Sequence, residues 1–432
     1  MLLSACGGGG GGGGDSVAPP QSCTVTDQKA WLTNYMAEWY FWNQLAPRAD
    51  EAAFPSVDSY FKALLYTGGT APFPTDRYSY TESTESYNRF FGNGQTLGFG
   101  VSVAGLEVTG QPGQPLFVRY VEALSPAAAA GVQRGDELLS ANGRPAADLI
   151  GSNDFSPLTA SSAGQSLALV LRRAGVQRNV NLNAAVFALS PVPLDSVVTT
   201  PGGRKLGYVV VKDMVSQVNT PLDAAFARIK AAGVDAVVLD LRYNGGGLVS
   251  VGGTVASYVA GSRGAGQTYA SLLYNEQRAT NNNRFAFSNP AAALGSARVY
   301  VLTGPRTCSA SEQLINGLRG VGVEVVAIGA SSCGKPVGFL PSAQCGTTFS
   351  AVNFESVNAR GEGRYFTGFA PTCAVAETYS RSLGDSAEPL LATALRYADS
   401  GACPSPALNA LPPRNMGTRL NVTDERQQML AR

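Results

Sequence analysis

The stretch Ala236-Val237-Val238-Leu239-Asp240-Leu241-Arg242-Tyr243-Asn244-Gly245-Gly246-Gly247 decides how this chain folds. Its first half is an unbroken apolar run, as in strands buried on both faces of a parallel sheet. Its second half closes on three glycines, where a backbone can take positive φ and approach a ligand closely. Outward from it, strand and helix alternate. A strand over 207–211 and a helix over 222–232 come before; a helix over 248–259, a strand over 299–303, a helix over 309–318 and a strand over 323–328 come after. This alternation predicts a layered α/β domain over 190–403.

Upstream the pattern changes twice. Trp31, Leu32, Tyr35, Trp39 and Trp42 recur at helical spacing, which predicts a helix from about Thr26 to Pro47 carrying one aromatic stripe, the core of a small domain. A second helix over 56–66 stops at Gly68-Gly69, giving a helical N-terminal domain over 23–95. From 96 to 189 short strands and turns take over: Gly98-Phe99-Gly100-Val101 opens one strand, Val118 to Val121 forms another, Asn142-Gly143 marks a tight turn, and 167–172 with 176–182 form a closing hairpin. Residues 404–432 turn Pro-rich and then polar, and are expected to lack fixed structure.

Composition excludes several classes of function. Among 432 residues, 32 Lys+Arg balance 31 Asp+Glu, so nothing points to nucleic acid as a partner. Histidine is absent, which rules out a Ser-His-Asp triad, a Cys-His dyad and any His-ligated metal within this sequence. There is no CxxC pair either, and neither a metal nor a cofactor is expected.

Leu2-Leu3-Ser4-Ala5-Cys6 has the form of a bacterial lipobox, with cleavage before Cys6 and a lipid on its thiol. The basic and apolar stretches of a full export signal are missing, so the natural start is expected further upstream. Gly7 to Gly14 then form a flexible tether, so 1–22 reads as anchor and linker. Glycines stand where an inner-membrane retention Asp would, which predicts an envelope protein on the outer membrane, facing the periplasm. Six cysteines remain, an even number suited to disulfides in an exported chain. The expected pairs are Cys308–Cys333, Cys345–Cys373 and Cys23–Cys403.

A serine nucleophile needs a base, and without histidine that base is a lysine or a carboxylate. Ser309 follows the strand over 299–303 and opens a helix, either as an ordinary N-cap or with its hydroxyl at the positive helix end, which favours developing negative charge. Lys335 follows the next strand, and adjacent strands bring their C-terminal loops together. A lysine acts as a base only when neutral, so burial must lower its pKa from about 10.4 by several units. Gly334, Pro336, Val337, Phe339 and Leu340 offer such a setting.

Two resemblances complete the reading. Ser125-Pro126-Ala127, Ala130-Gly131-Val132, Gly135-Asp136 and Asn142-Gly143 together resemble a PDZ domain of the bacterial protease type. That implies backbone N–H groups of Gly98, Phe99, Gly100 and Val101 capturing a peptide's C-terminal carboxylate, with the peptide added as a strand, or a domain that only regulates or braces its neighbour. Asp240 to Gly247, Thr307-Cys308-Ser309-Ala310-Ser311-Glu312 and Gly334-Lys335-Pro336, in this order and spacing, resemble peptidase family S41, the tail-specific C-terminal-processing serine proteases, whose catalytic domain is crotonase-like.

The resemblance implies a multidomain α/β architecture and a serine endopeptidase acting through an acyl-enzyme on polypeptides with free C-termini. Ser309 matches the nucleophile and Lys335 the general base. The Ala310 amide and the loop of Gly245 and Gly246 match the oxyanion hole. Asp240 and Arg242 would pair and shape that loop, and Glu312 would cap the helix or serve the site. Many members carry an Asp eleven positions after the nucleophile and a Gln four after the lysine; here these are Gly320 and Phe339. What orients Lys335 is then Ser311 or a backbone carbonyl, and a Cys308–Cys333 bridge would fix Ser309 near Lys335. The missing positions motivate one rival reading, a non-catalytic peptide-binding protein on the same scaffold; a second rival is an acyl-transfer or hydrolytic enzyme for small molecules on a crotonase-like fold, against which the PDZ-like segment argues.

Overall fold

The computed structural model describes residues 17–404 and 428–431. Cys6 and the glycine run lie outside them. The apolar run Ala236–Asp240 sits inside a six-stranded sheet, between Lys205–Val210 and Arg298–Thr303, with Glu324–Gly329 and Cys373–Ala374 beyond and Leu194–Thr199 at the opposite edge. All pairs are parallel except Leu194–Thr199 with Lys205–Val210, and Val238 lies opposite both Tyr208 and Tyr300. Both faces are covered. The helices Asn219–Ala231, Val249–Ala260 and Ala310–Gly320 bring Phe226, Val255 and Leu314 to one face, and the helix Pro389–Ser400 brings Leu391 and Leu395 to the other. This explains why the strand carries consecutive apolar residues from Ala236 to Leu239 rather than alternate ones.

A second six-stranded sheet runs in the order Gly246–Leu248, Gln428–Leu430, Val337–Phe339, Val352–Val357, Thr268–Tyr274, Asn283–Ala286. The glycine loop feeds its first strand and Lys335 its third. The expectation of an unstructured 404–432 is therefore corrected at 428–430, which forms a strand in the middle of this sheet. Three residues are too few to show a strand period, and the polar stretch before them hid it.

The first helix spans Val25–Trp39, capped by Thr24, and buries Trp31, Leu32, Tyr35, Met36 and Trp39. It ends well before Pro47, and Trp42 lies beyond it. Its stripe is not the core of a separate small domain. Trp31 packs 5.2 Å from Phe349, and Asn353 Nδ2 donates to the Trp39 carbonyl at 2.9 Å, so the N-terminal segment shares one core with the second sheet. The second helix, Val57–Ala63, is shorter than its pattern suggested.

Between these parts, Val101–Val103, Leu116–Val121, Glu137–Ala141, Ser166–Arg173 and Val176–Asn183 form a sheet around its own core of Phe99, Val118, Leu138, Ile150 and Leu169. Asn142 and Gly143 turn with φ of 48° and 79°, the left-handed pair that a two-residue hairpin demands. Gln95–Gly98 pairs with Ala185–Ala188 and closes the two ends of this unit.

Three disulfides are present: Cys308–Cys333, Cys23–Cys345 and Cys373–Cys403. The other two expected pairings, Cys345–Cys373 and Cys23–Cys403, are wrong. Cys23 precedes the helix that packs on the Phe349 strand, next to the turn holding Cys345. Cys373 lies beside Glu324–Gly329, against which the helix leading to Cys403 packs. No helix among the described residues is long and apolar enough to cross a membrane.

Candidate active site

Ser309 sits between the strand Arg298–Thr303 and the helix Ala310–Gly320, with φ 62° and ψ −117°. Positive φ is costly for a residue with a Cβ and persists where the surroundings over-determine it. Here they do. The Cys308 amide donates to the Asn244 carbonyl at 3.2 Å, Cys308 is bonded to Cys333, and the Thr307 hydroxyl donates to the Leu241 carbonyl at 2.8 Å. The Ser309 amide donates to Glu312 Oε2 at 2.9 Å. Its own Oγ is buried and has no hydrogen-bond partner among the described residues.

Glu312 is the hub. Its Oε2 also accepts from the Lys335 amide at 2.8 Å, and its Oε1 accepts from the Gly334 amide at 2.8 Å and the Ser332 hydroxyl at 2.6 Å. Burial holds the carboxyl above its ordinary pKa against these donors, which favour the charged form. Cys308, Glu312 and Cys333 lie close together, but the two sulfurs are bonded to each other and offer no thiolates.

Lys335 is 1% exposed. Its Nζ lies 3.9 Å from the centre of the Phe339 ring and 6.0 Å from that of Tyr78. Burial drives its pKa well below the usual lysine range, while the charges of Asp76 and Glu312 pull the other way. Phe339, four positions after the lysine, gives its amine an aromatic face. The N-terminal segment completes the pocket: the Tyr78 hydroxyl donates to the Gly334 carbonyl at 2.7 Å, and Asp76 is pinned by Tyr40, Ser79 and the Tyr78 amide. Ser311 is not on the lysine; its hydroxyl donates to the Asn244 carbonyl at 3.0 Å, tying the helix to the glycine loop.

That loop is braced from both sides. Arg242 pairs with Asp240 at 2.9 Å and with Glu388 at 2.7 Å. Asn244 Nδ2 donates to the Val211 carbonyl at 2.9 Å, and its Oδ1 accepts from the Gly246 amide at 2.8 Å. Gly246, expected to face an oxyanion, thus already spends its N–H on Asn244, which leaves Gly245 and Ala310. Ala310 is the first residue of its helix, where amides have no intrahelical partner.

The comparisons with known proteins fall on these same segments. The model of peptidase family S41 matches residues 205–358, that of the peptidase S41 N-terminal domain 27–80, and that of the PDZ domain 117–173. Residues 205–358 are a peptidase family S41 domain. The chain is 27% identical over 218 residues to a carboxyl-terminal-processing protease of Picosynechococcus, covering 49% of this chain and 48% of the relative. It is 29% identical over 233 residues to a chloroplastic C-terminal processing peptidase of Tetradesmus obliquus, covering 51% and 48%. The match therefore spans about half the length of these curated relatives. Among solved structures, an S41 protease from Bacteroides fragilis superposes with a TM-score of 0.68 at 24% identity, over 86% of this chain and 97% of the other. A photosystem II D1 C-terminal processing protease superposes with a TM-score of 0.52 at 18% identity, over 82% and 94%. Both share the fold.

The PDZ domain reaches the glycine loop of the S41 domain directly. Arg134 donates to Tyr243 Oη, to Glu377 Oε1 at 2.9 Å and to the Arg119 carbonyl at 2.6 Å. Arg119 lies over the Tyr243 ring at 4.8 Å. Burial alone would raise the Glu377 carboxyl, but the charges of Arg242 and Arg134 outweigh it and hold it low. In the candidate carboxylate loop, the Ala127 amide takes the Phe99 carbonyl at 2.9 Å and the Glu122 amide takes that of Gly100 at 2.9 Å. Val101–Val103 forms an edge of the sheet, and Gly100 takes φ 77° with Ser125 where a Cβ would go.

Sequence reasoning missed Asp76, Tyr78, Arg134, Asn244 and Glu377. Only Asn244 carried a signal, through its place before the glycines. The others meet the motifs only through the tertiary fold.

Proposed function

We propose that this chain is a serine endopeptidase in which Ser309 is the nucleophile and Lys335 the general base. The buried lysine with a depressed pKa carries the reading, because a mere binding protein has no use for a neutral amine held at the cost of burial. Neutral Lys335 takes the proton from Ser309 Oγ as the oxygen attacks a peptide carbonyl. Amides of Ala310 and Gly245 receive the negative charge on the tetrahedral oxygen. Lys335 then protonates the departing amine, and water releases the acyl group by the same steps in reverse.

The PDZ domain selects polypeptide substrates by their C-termini, along the Val101–Val103 edge beside Gly98, Phe99 and Gly100. This reading keeps the protein on the bacterial envelope through a lipid on Cys6. The test is cleavage of an unfolded protein with an apolar C-terminus by wild type, Ser309→Ala and Lys335→Ala between pH 6 and 10. Loss in both variants supports the dyad, and equal activity in all three rejects it.

A further inference from the structure

The strands that lead away from the two halves of the site, Gly246–Leu248 and Val337–Phe339, meet only through a third strand between them, Gln428–Leu430. Gly246 stands opposite Gln428, Gly247 opposite Met429 and Leu248 opposite Leu430, while Phe339 stands opposite Leu430 on the other side. All are parallel pairs. The Ala431 amide donates to the Phe339 carbonyl at 3.2 Å. Leu430 is completely buried, in the cluster that holds Val215, Val337 and Phe339. A slot one strand wide, with a hydrogen-bonding edge on each side, is the form in which an extended peptide is held through its backbone.

The direction is informative. Gly246 lies at the glycine-loop end of its strand, and Val337 lies two residues beyond Lys335. Parallel to both, the inserted segment starts at the catalytic end and runs away from it. A substrate lying this way would have there the residues on the carboxyl side of the bond to be cut.

Resting on the peptidase reading above, we propose that residues 428–431 occupy the leaving-group half of the substrate channel and hold this enzyme self-occupied, so that a polypeptide substrate must displace them. A tethered segment competes at an effective concentration on the order of mM, well above that of a dilute substrate.

The test removes residues 428–432, or replaces Leu430→Asp in the full chain, where a charge cannot enter the apolar slot. Either change is expected to raise kcat/KM on an unfolded polypeptide at least tenfold, at a temperature where circular dichroism shows the variant folded. The peptide Gln-Met-Leu-Ala-Arg, added to the shortened enzyme, is expected to inhibit competitively, and the same peptide with Asp in place of Leu is not. Unchanged or lower activity in both variants overturns the proposal, since the segment would then be ordinary structure. Binding of the labelled peptide in a Ser309→Ala background needs no catalysis. Binding at least tenfold tighter after truncation supports self-occupancy even if no form cleaves, an outcome that rejects the peptidase reading alone. Equal binding to full and shortened chains, with wild-type cleavage intact, overturns self-occupancy alone.

Discussion

The backbone amides of Ser309 and Lys335 donate to a single atom, Oε2 of Glu312, at 2.9 and 2.8 Å. Two loops from neighbouring strands are thereby drawn to one point, and the Cys308–Cys333 bridge ties the same loops covalently. The strained φ of Ser309 is held from three directions: by this carboxylate, by the disulfide and by the Asn244 carbonyl.

Glu312→Ala leaves the Ser309, Gly334 and Lys335 amides buried without an acceptor. Each unmet donor costs about 1–3 kcal/mol, so a loss of roughly 3 kcal/mol or more is expected in urea unfolding, with kcat falling much further than stability alone explains. Glu312→Gln, which keeps one acceptor oxygen, should fall between. Wild-type kcat in Glu312→Ala would contradict the bracing role.

Lys335 has a folded pKa well below its ordinary 10.5. Between those two values the unfolded chain binds the proton and the folded chain does not, so stability rises with pH across that window. Lys335→Met should flatten this slope and stabilise the protein at neutral pH, by about 1.4 kcal/mol per pH unit of displacement, while abolishing activity. Wild-type kcat/KM should rise with pH to a plateau reached well below pH 10. A rise centred near 10.5 would mean an ordinary exposed lysine.

Replacing Cys308 and Cys333 by Ser opens a bridge of sequence separation 25 beside the site. A loss of about 3 kcal/mol in chemical unfolding is expected from the released loop entropy. Peptidase activity should fall in conditions where the variant remains folded by circular dichroism. Full activity in the folded variant would reduce the bridge to a staple.

Arg134→Ala removes the PDZ domain's charge from Tyr243 and Glu377. Glu377 then keeps Arg242 at 3.2 Å, so the fold survives, but the glycine loop loses one brace. A drop of about tenfold in kcat, some 1.4 kcal/mol in the barrier, is expected with little change in KM. An effect confined to KM would place Arg134 in substrate capture instead.

Much of this was legible in the sequence for a physical reason. A strand buried on both faces is apolar along its run, so Ala236 to Leu239 and its neighbours announce a parallel sheet. The loops that leave such strands at one edge must converge, which brings Ser309, Lys335 and the glycines into one neighbourhood. What was not legible depends on partners far along the chain. The stripe from Trp31 to Trp39 reads as a helix, but its contact with Phe349 carries no sequence signal. Asp76 and Tyr78 close the lysine pocket from a segment without a motif. Cys23 finds Cys345 only because that helix docks there. Phe339 was legible as part of the apolar setting of Lys335, but the placement of its ring against the lysine Nζ emerges only in the folded pocket.

The most direct test of the central claim is the mass of the protein after treatment with a small fluorophosphonate that reacts with activated serines. One adduct is predicted, on the peptide containing Ser309, and none on Lys335→Ala, since an unactivated hydroxyl does not react. An adduct on another serine, or unlabelled Ser309 in protein that cleaves peptide bonds, would contradict the assignment.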